Sequence, residues 1–188
     1  MLAENMAQLP PFFITKTCRN SLLRSCFTLH VSGHSRSFSP IMFLFSQQCL
    51  CQVTDMRNDA VKLFYGPSFE ENAEKYVDSC QGHYKKFESW MGQQGTKFTC
   101  GDAPTAPDFH LFEMLDQHEI LAKFLKTKSF LATENEKGKL LYSNLRKFYG
   151  DFKLLPQLQD YFAGDAYKLP INNIVISLLL LPFVSSRS

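Results

Sequence analysis

Gly101-Asp102-Ala103-Pro104-Thr105-Ala106-Pro107-Asp108-Phe109 states a helix start with unusual completeness. Thr105 stands where its side chain can cap the helix, and Asp108, three residues on, can reach back to the Thr105 N–H. That is a capping box with Asp in place of the commoner Glu or Gln. Pro104 and Phe109 occupy the two positions of a hydrophobic staple, and Pro107 falls in the first turn, where no intrahelical N–H is lost. Phe109, Phe112 and Leu115 follow at helical spacing. The helix predicted here therefore turns an apolar face to a core, and it is expected to end near His118.

Upstream, the spacing predicts a helix from about Val53 to Tyr65, stopped by Gly66-Pro67, with glycine as the residue after the cap and proline unable to continue. Ser68 is the expected cap of the next helix, with Glu71 at its third position and Glu70 beside it to favour the positive end of the dipole. Phe69, Ala73, Tyr76, Cys80, Tyr84, Phe87 and Met91 recur at steps of three and four, so that helix should run to near Gly92. Downstream, Ile120 to Leu131 has a helical period. Thr133 to Glu136 reads as another capping box, opening a helix through Leu140, Leu141, Leu145 and Phe148, and Leu155-Pro156-Gln157-Leu158 as the start of one more. No alternating strand pattern occurs between residues 53 and 165, so the organised region is expected to be all-α.

At 188 residues, with 45% apolar and 14% aromatic side chains, the chain can bury a substantial core in one principal domain. A formal charge of +2 is too small to suggest a nucleic-acid partner. Six cysteines include no Cys-x-x-Cys pair, which points to free thiols in a reducing compartment. From Asn5 to Thr54 there is no Asp or Glu, while Lys16, Arg19, Arg24 and Arg36 are scattered among serines. Two readings stay open for this stretch: a poorly folded leader in a cytoplasmic protein, or an organelle-targeting segment. Three regions follow: an irregular leader over 1–51, a helical domain over 52–170, and an apolar tail over 171–188. Within the tail, Ile174 to Leu181 is too short to span a bilayer and needs cover by the core or a partner. No transmembrane anchor is expected.

The usual chemical motifs are absent. There is no Gly-rich phosphate loop, no His-Glu-x-x-His and no Gly-x-Ser-x-Gly. His110 and His118 lie eight apart, too far to chelate one metal directly, and read as helix-surface or boundary residues; no metal site is expected. Cys49-Leu50-Cys51 is either a thiol pair or two small hydrophobes.

The runs Asp55-Met56-Arg57, Leu63-Phe64-Tyr65-Gly66-Pro67-Ser68-Phe69-Glu70, and Gly101-Asp102 through Thr105, Asp108, Phe109, Leu115 and Asp116 resemble the C-terminal helical domain of glutathione transferases. The mu type is the nearest class, with sigma next. Tyr142 to Phe148 and Phe152 to Tyr161 resemble a later helix pair of that family, after an apparent insertion around Lys123 to Lys137. The resemblance implies an all-α bundle in which Thr105 and Asp108 form a structural cap. It also implies glutathione as co-substrate, with no cofactor, and a hydrophobic electrophile as second substrate. Tyr65 matches a tyrosine that offers its hydroxyl to the electrophile as a proton donor, and Arg57, Val61 and Tyr65, spaced i, i+4 and i+8, would line one wall of that pocket. Asp55 matches an acid that reaches across a dimer interface to the amino group of glutathione.

The match has one large departure. The family binds glutathione and ionises its thiol with an N-terminal thioredoxin-like domain that carries an early tyrosine, whereas residues 1–50 contain no tyrosine. Leu9-Pro10 and Asn20-Ser21 are the most that could survive of that domain's leucine-proline strand and glutamine-serine turn. Two functional expectations follow. One is a truncated glutathione transferase, catalytic in its complete form and forming a homodimer or a heterodimer with a full-length relative. The other is a non-catalytic helical module for dimerisation or for binding hydrophobic ligands.

Overall fold

The computed structural model describes residues 40–168, and the apolar tail expected at 171–188 and nearly all of the leader lie outside that range. Among the described residues the architecture is all-α. Helix α1 spans Pro40–Tyr65, α2 Phe69–Gln94, α3 Ala106–Phe124 and α4 Ser143–Lys153, followed by two short helices, α5 Gln159–Ala163 and α6 Asp165–Lys168. Single 3-10 turns sit at Phe130–Ala132 and Pro156–Leu158. The only β-type pairings among the described residues are two isolated bridges, Phe98 with Gly101 and Glu134 with Leu140. None of the described helices is long and apolar enough to cross a membrane.

Helix α1 begins at Pro40, not near Val53, so part of the expected irregular leader is helical. Its buried face runs unbroken through Leu44, Gln48, Cys49, Gln52, Val53, Met56, Ala60, Leu63 and Phe64. Two of those positions are glutamines, and a search for apolar periodicity stops at them. Cys49 and Cys51 are buried on this helix and form no disulfide, which fits small core residues. The helix does end at Gly66. A Cβ there would lie 2.3 Å from the Lys62 carbonyl oxygen, so glycine is required by close approach.

The residue in the left-handed region at this junction is Ser68, at φ 58°, and its side chain makes no capping hydrogen bond. The expected serine cap is therefore not formed. Instead the Asn72 amide donates to the Pro67 carbonyl at 3.1 Å. All seven apolar positions expected on α2 are buried, and Trp90 joins them, its indole N–H donating to the Thr99 carbonyl at 2.7 Å. α2 runs past Gly92 to Gly95, which adopts φ 63° and donates its N–H to the Met91 carbonyl, as a glycine end-cap does.

Helix α3 is the buried axis of the bundle, packed against α1 and α4. It continues two turns beyond His118, because Leu121 and Ala122 keep its buried face going. Phe112 and Leu115 are buried as expected, but Phe109 is half-exposed and Pro104 exposed, so the staple is not closed. The Phe109 ring packs edge-on against Phe152 instead, at 5.1 Å. The helix expected from Thr133 is a tight hairpin-like turn, in which the Asn135 side chain accepts the N–H groups of Lys137 and Lys139 and Gly138 takes φ 70°. Thr133 donates its hydroxyl to the Phe130 carbonyl, so its side chain belongs to the preceding turn. Helix α4 starts only at Ser143, and buries Leu145, Phe148 and Phe152.

Candidate functional site

The capping box at Thr105 is formed, and it is deeper than the sequence spacing alone requires. Asp108 is fully buried. One carboxylate oxygen accepts the Thr105 N–H at 2.7 Å and the Thr105 hydroxyl at 2.6 Å, while the other accepts the Thr99 N–H at 2.8 Å. This single carboxylate thus holds the start of α3 and the loop before it. Such bonds to an ionised acceptor are the strong ones.

Arg57, Val61 and Tyr65 do share one face of α1, and that face is open to solvent. Arg57 is exposed, Val61 is 43% and Tyr65 66% exposed. Tyr65 occupies the last position of the helix, directly before the Gly66-Pro67 stop. Asp55 is half-buried and lies about 200° round the helix from Arg57, on a different side from the other three. The geometry therefore brings Arg57, Val61 and Tyr65 into one stripe and sets Asp55 apart from it.

The sequence reads His110 and His118 as helix-surface or boundary residues; His110 is exposed, whereas His118 is fully buried. Eight residues are about 2.2 turns of α3, so the two side chains point about 80° apart and meet different environments. The Tyr84 hydroxyl lies 2.8 Å from His118 Nδ1, the Tyr76 hydroxyl is bonded to Nε2, and the Cys80 thiol sits 3.4 Å from Nδ1. Burial pushes the His118 pKa down to about 3 and the Cys80 thiol up to about 12. Both tyrosine hydroxyls are likewise held well above their ordinary range by burial. At neutral pH the whole cluster is uncharged, so it acts as a hydrogen-bonded hub between α2 and α3. Tyr76, Cys80 and Tyr84 recur at i, i+4 and i+8, but nothing in that spacing says a histidine meets them.

Three other polar arrangements were not legible. Glu88 on α2 caps α4 from outside: its carboxylate accepts the N–H of Asn144 at 2.9 Å and of Leu145 at 3.0 Å, and the Ser143 hydroxyl at 3.2 Å. In the groove between α1 and α2, His83 bridges Gln52 and Asp59 at 2.6 and 3.2 Å, and Lys62 bonds Asp59 at 2.9 Å. Burial pushes the Asp59 carboxyl up, but the bonds from Lys62 and His83 outweigh it and leave it below its ordinary value. Asp116 on α3 accepts the hydroxyls of Tyr149 and Tyr167 and pairs with Lys153 at 3.3 Å. Burial, helped by that carboxylate, raises both tyrosine pKa values. The Asp116 cluster borders a groove of about 710 Å³ walled by Phe112, Phe152, Tyr161 and Phe162. Among the described residues no group of three or more His, Cys, Asp or Glu is placed to hold a metal ion.

An all-α bundle whose central helix starts on a buried Thr-Asp cap defines the class, and comparison with known proteins supplies the family. Residues 54–165 match the model of the glutathione S-transferase C-terminal domain. The chain belongs to the glutathione S-transferase family, through that domain. It is 26% identical over 117 residues to a glutathione S-transferase of Mesocricetus auratus, a match covering 62% of this chain and 46% of that one. It is 26% identical over 116 residues to glutathione S-transferase Mu 2 of Mus musculus, covering 62% and 46%. To glutathione S-transferase P of Homo sapiens it is 29% identical over 124 residues, covering 64% and 52%. The crystal structure of the glutathione S-transferase Blo t 8 superposes with a TM-score of 0.53 at 21% identity, over 78% of this chain and 62% of that one, a likeness of fold. The chain spans about half the length of the curated relatives it matches.

Proposed function

We propose that this helical domain supplies the electrophile side of a glutathione-conjugating site. In the reaction the glutathione thiolate attacks the electrophile, a carbon–sulfur bond forms, and the electron pair passes to a leaving group or a developing anion. Tyr65 would donate a proton or hydrogen bond to that anion, while Arg57 and Val61 would wall the pocket. Asp55 would bind the amino group of glutathione across a dimer interface, in a homodimer or beside a full-length relative. The observation that carries this reading is the open stripe of Arg57, Val61 and Tyr65 at the end of α1, in a chain of this family.

Binding glutathione and ionising its thiol are assigned to a thioredoxin-like domain, and the described residues contain none. A free thiol of pKa ~8.5 is only a few per cent ionised at neutral pH. The described helical domain by itself should therefore give little transfer above the uncatalysed rate. Joining a mu-type thioredoxin-like domain ahead of Pro40, where α1 begins, should restore conjugation, and Tyr65→Phe in that chimera should slow electrophiles that develop an anion by about 10²-fold or more. A well-folded, active chimera indifferent to Tyr65→Phe would remove the role given to that hydroxyl. The described cysteines Cys49, Cys51, Cys80 and Cys100 form no disulfide, which accords with a reducing, cytoplasmic setting.

The aromatic groove beside Asp116 favours a second reading, a non-catalytic module that binds hydrophobic ligands. Retention on immobilised glutathione favours the first. Displacement of a fluorescent apolar probe, weakened by Phe112→Ala and accompanied by no retention, favours the second.

A further inference from the structure

Tyr142 lies in the segment leading into α4, with its ring only 1% exposed and edge-on to Tyr84 at 5.3 Å between centroids. Its hydroxyl oxygen is buried, yet no protein group hydrogen-bonds to it. Buried hydroxyls are nearly always satisfied, by protein or by ordered water. Beside Tyr142 is a cavity of about 20 Å³, lined by Cys80, Gln81, Tyr84, Phe130 and Thr133 among others. One water needs roughly 10–15 Å³ of such space and two to four polar partners. The lining is polar enough to provide them.

We propose that this cavity is the binding site of one structural water, which satisfies the Tyr142 hydroxyl and joins it to the Tyr84–His118–Tyr76 chain. The donors can be counted through. Thr133 already spends its hydroxyl hydrogen on the Phe130 carbonyl at 2.8 Å, so toward the cavity it can only accept. The water accepts the Tyr142 O–H and donates to Thr133 Oγ1 and to the Tyr84 oxygen, three bonds in all. Tyr84 is then free to donate to His118 Nδ1, 2.8 Å away. The Tyr76 hydroxyl is bonded to His118 Nε2, and with Nδ1 taken by the Tyr84 hydrogen it accepts from the ring. His118 is accordingly neutral with its proton on Nε2. The donors thus run in one direction, from Tyr142 through the water, Tyr84 and His118 to Tyr76.

The test is a crystal structure of the full chain at a resolution that shows buried water, with ¹⁵N spectra of histidine-labelled protein. The expected result is one density peak within hydrogen-bond reach of Tyr142 Oη, Tyr84 Oη and Thr133 Oγ1, and a His118 ring protonated at Nε2 and bare at Nδ1. Tyr142→Phe should lose the peak, and Thr133→Val should weaken or displace it. A cavity without density while other buried waters are seen, a Tyr142 hydroxyl bonded directly to protein, a peak unmoved by Tyr142→Phe, or a proton on Nδ1 would each overturn the proposal. Should Tyr142→Phe fail to fold, the wild-type density and spectrum decide the question.

Discussion

Replacing Asp108 with alanine removes an acceptor that serves three donors at once: the N–H of Thr99, and the N–H and hydroxyl of Thr105. Loss of a helix cap costs ~1–2 kcal/mol. The Thr99 N–H adds to this, because Thr99 is fully buried and a buried donor left unpaired costs ~1–3 kcal/mol more. Part of the Thr105 loss can be recovered by solvent, since that residue is half-buried. The combined effect should be about 3–4 kcal/mol, which for a domain of this size lowers the melting temperature by roughly 10–15 °C. Asp108→Asn keeps one accepting oxygen but turns an NH₂ toward an N–H, and should fall between alanine and wild type. Thr105→Ala removes only the hydroxyl and should cost about 1 kcal/mol. Thermal and urea unfolding followed by circular dichroism orders the three. A loss below about 1 kcal/mol for Asp108→Ala, or a larger loss for Thr105→Ala, would refute the view that one carboxylate holds both the loop and the helix.

Glu88→Ala should destabilise by about 1–2 kcal/mol, because it strips the first turn of α4 of an outside cap, and Glu88→Gln by less; chemical denaturation measures both. His118 sets a pH dependence. Its folded pKa of about 3 is below the ordinary value of 6.5, so the unfolded chain binds the extra proton, and stability is lost as pH falls from about 6.5 toward about 3. The slope inside that window approaches ~1.4 kcal/mol per pH unit, and a melting temperature flat from pH 7 to pH 4 would refute the neutral buried hub. Cys80, buried and pushed up to about 12, should resist alkylation at pH 8 in the native protein and react once it is unfolded, as mass spectrometry of the labelled peptide would record.

The parts of this fold written in local spacing were legible, and the parts made by distant partners were not. The Thr105–Asp108 cap and the buried face of α2 depend on residues three and four apart, and both are found where the spacing puts them. The early start of α1 was hidden because Gln48 and Gln52 take core positions on its buried face. The false helix from Thr133 arose because a Thr with an acid three residues on is also compatible with a turn, and here Asn135 and Gly138 decide for the turn. Glu88 and Ser143 are 55 residues apart, and His118 meets Tyr84 across 34, so no local pattern could have paired them. The stripe of Arg57, Val61 and Tyr65 was legible as a face, while its openness to solvent required the packing of the other helices.

Stability and the proposed site occupy different material in this domain. The bonds that hold the bundle come from the buried Asp108 at the start of α3, the half-buried Glu88 reaching from α2 to α4, and the buried His118 with its tyrosines between α2 and α3. Tyr65, Arg57 and Val61 project from the open face of α1 and contribute little to that framework. Exposed positions of this kind usually change stability by less than about 0.5 kcal/mol when substituted. A loss of function at Tyr65 can therefore be read as chemistry, without first correcting for unfolding, whereas a loss at Asp108 cannot. The separation has a further consequence: the framework leaves the stripe free to vary, so domains with the same cap can present different walls to different electrophiles. The Thr-Asp cap identifies the fold for that reason, and carries no information about which substrate the open face would meet.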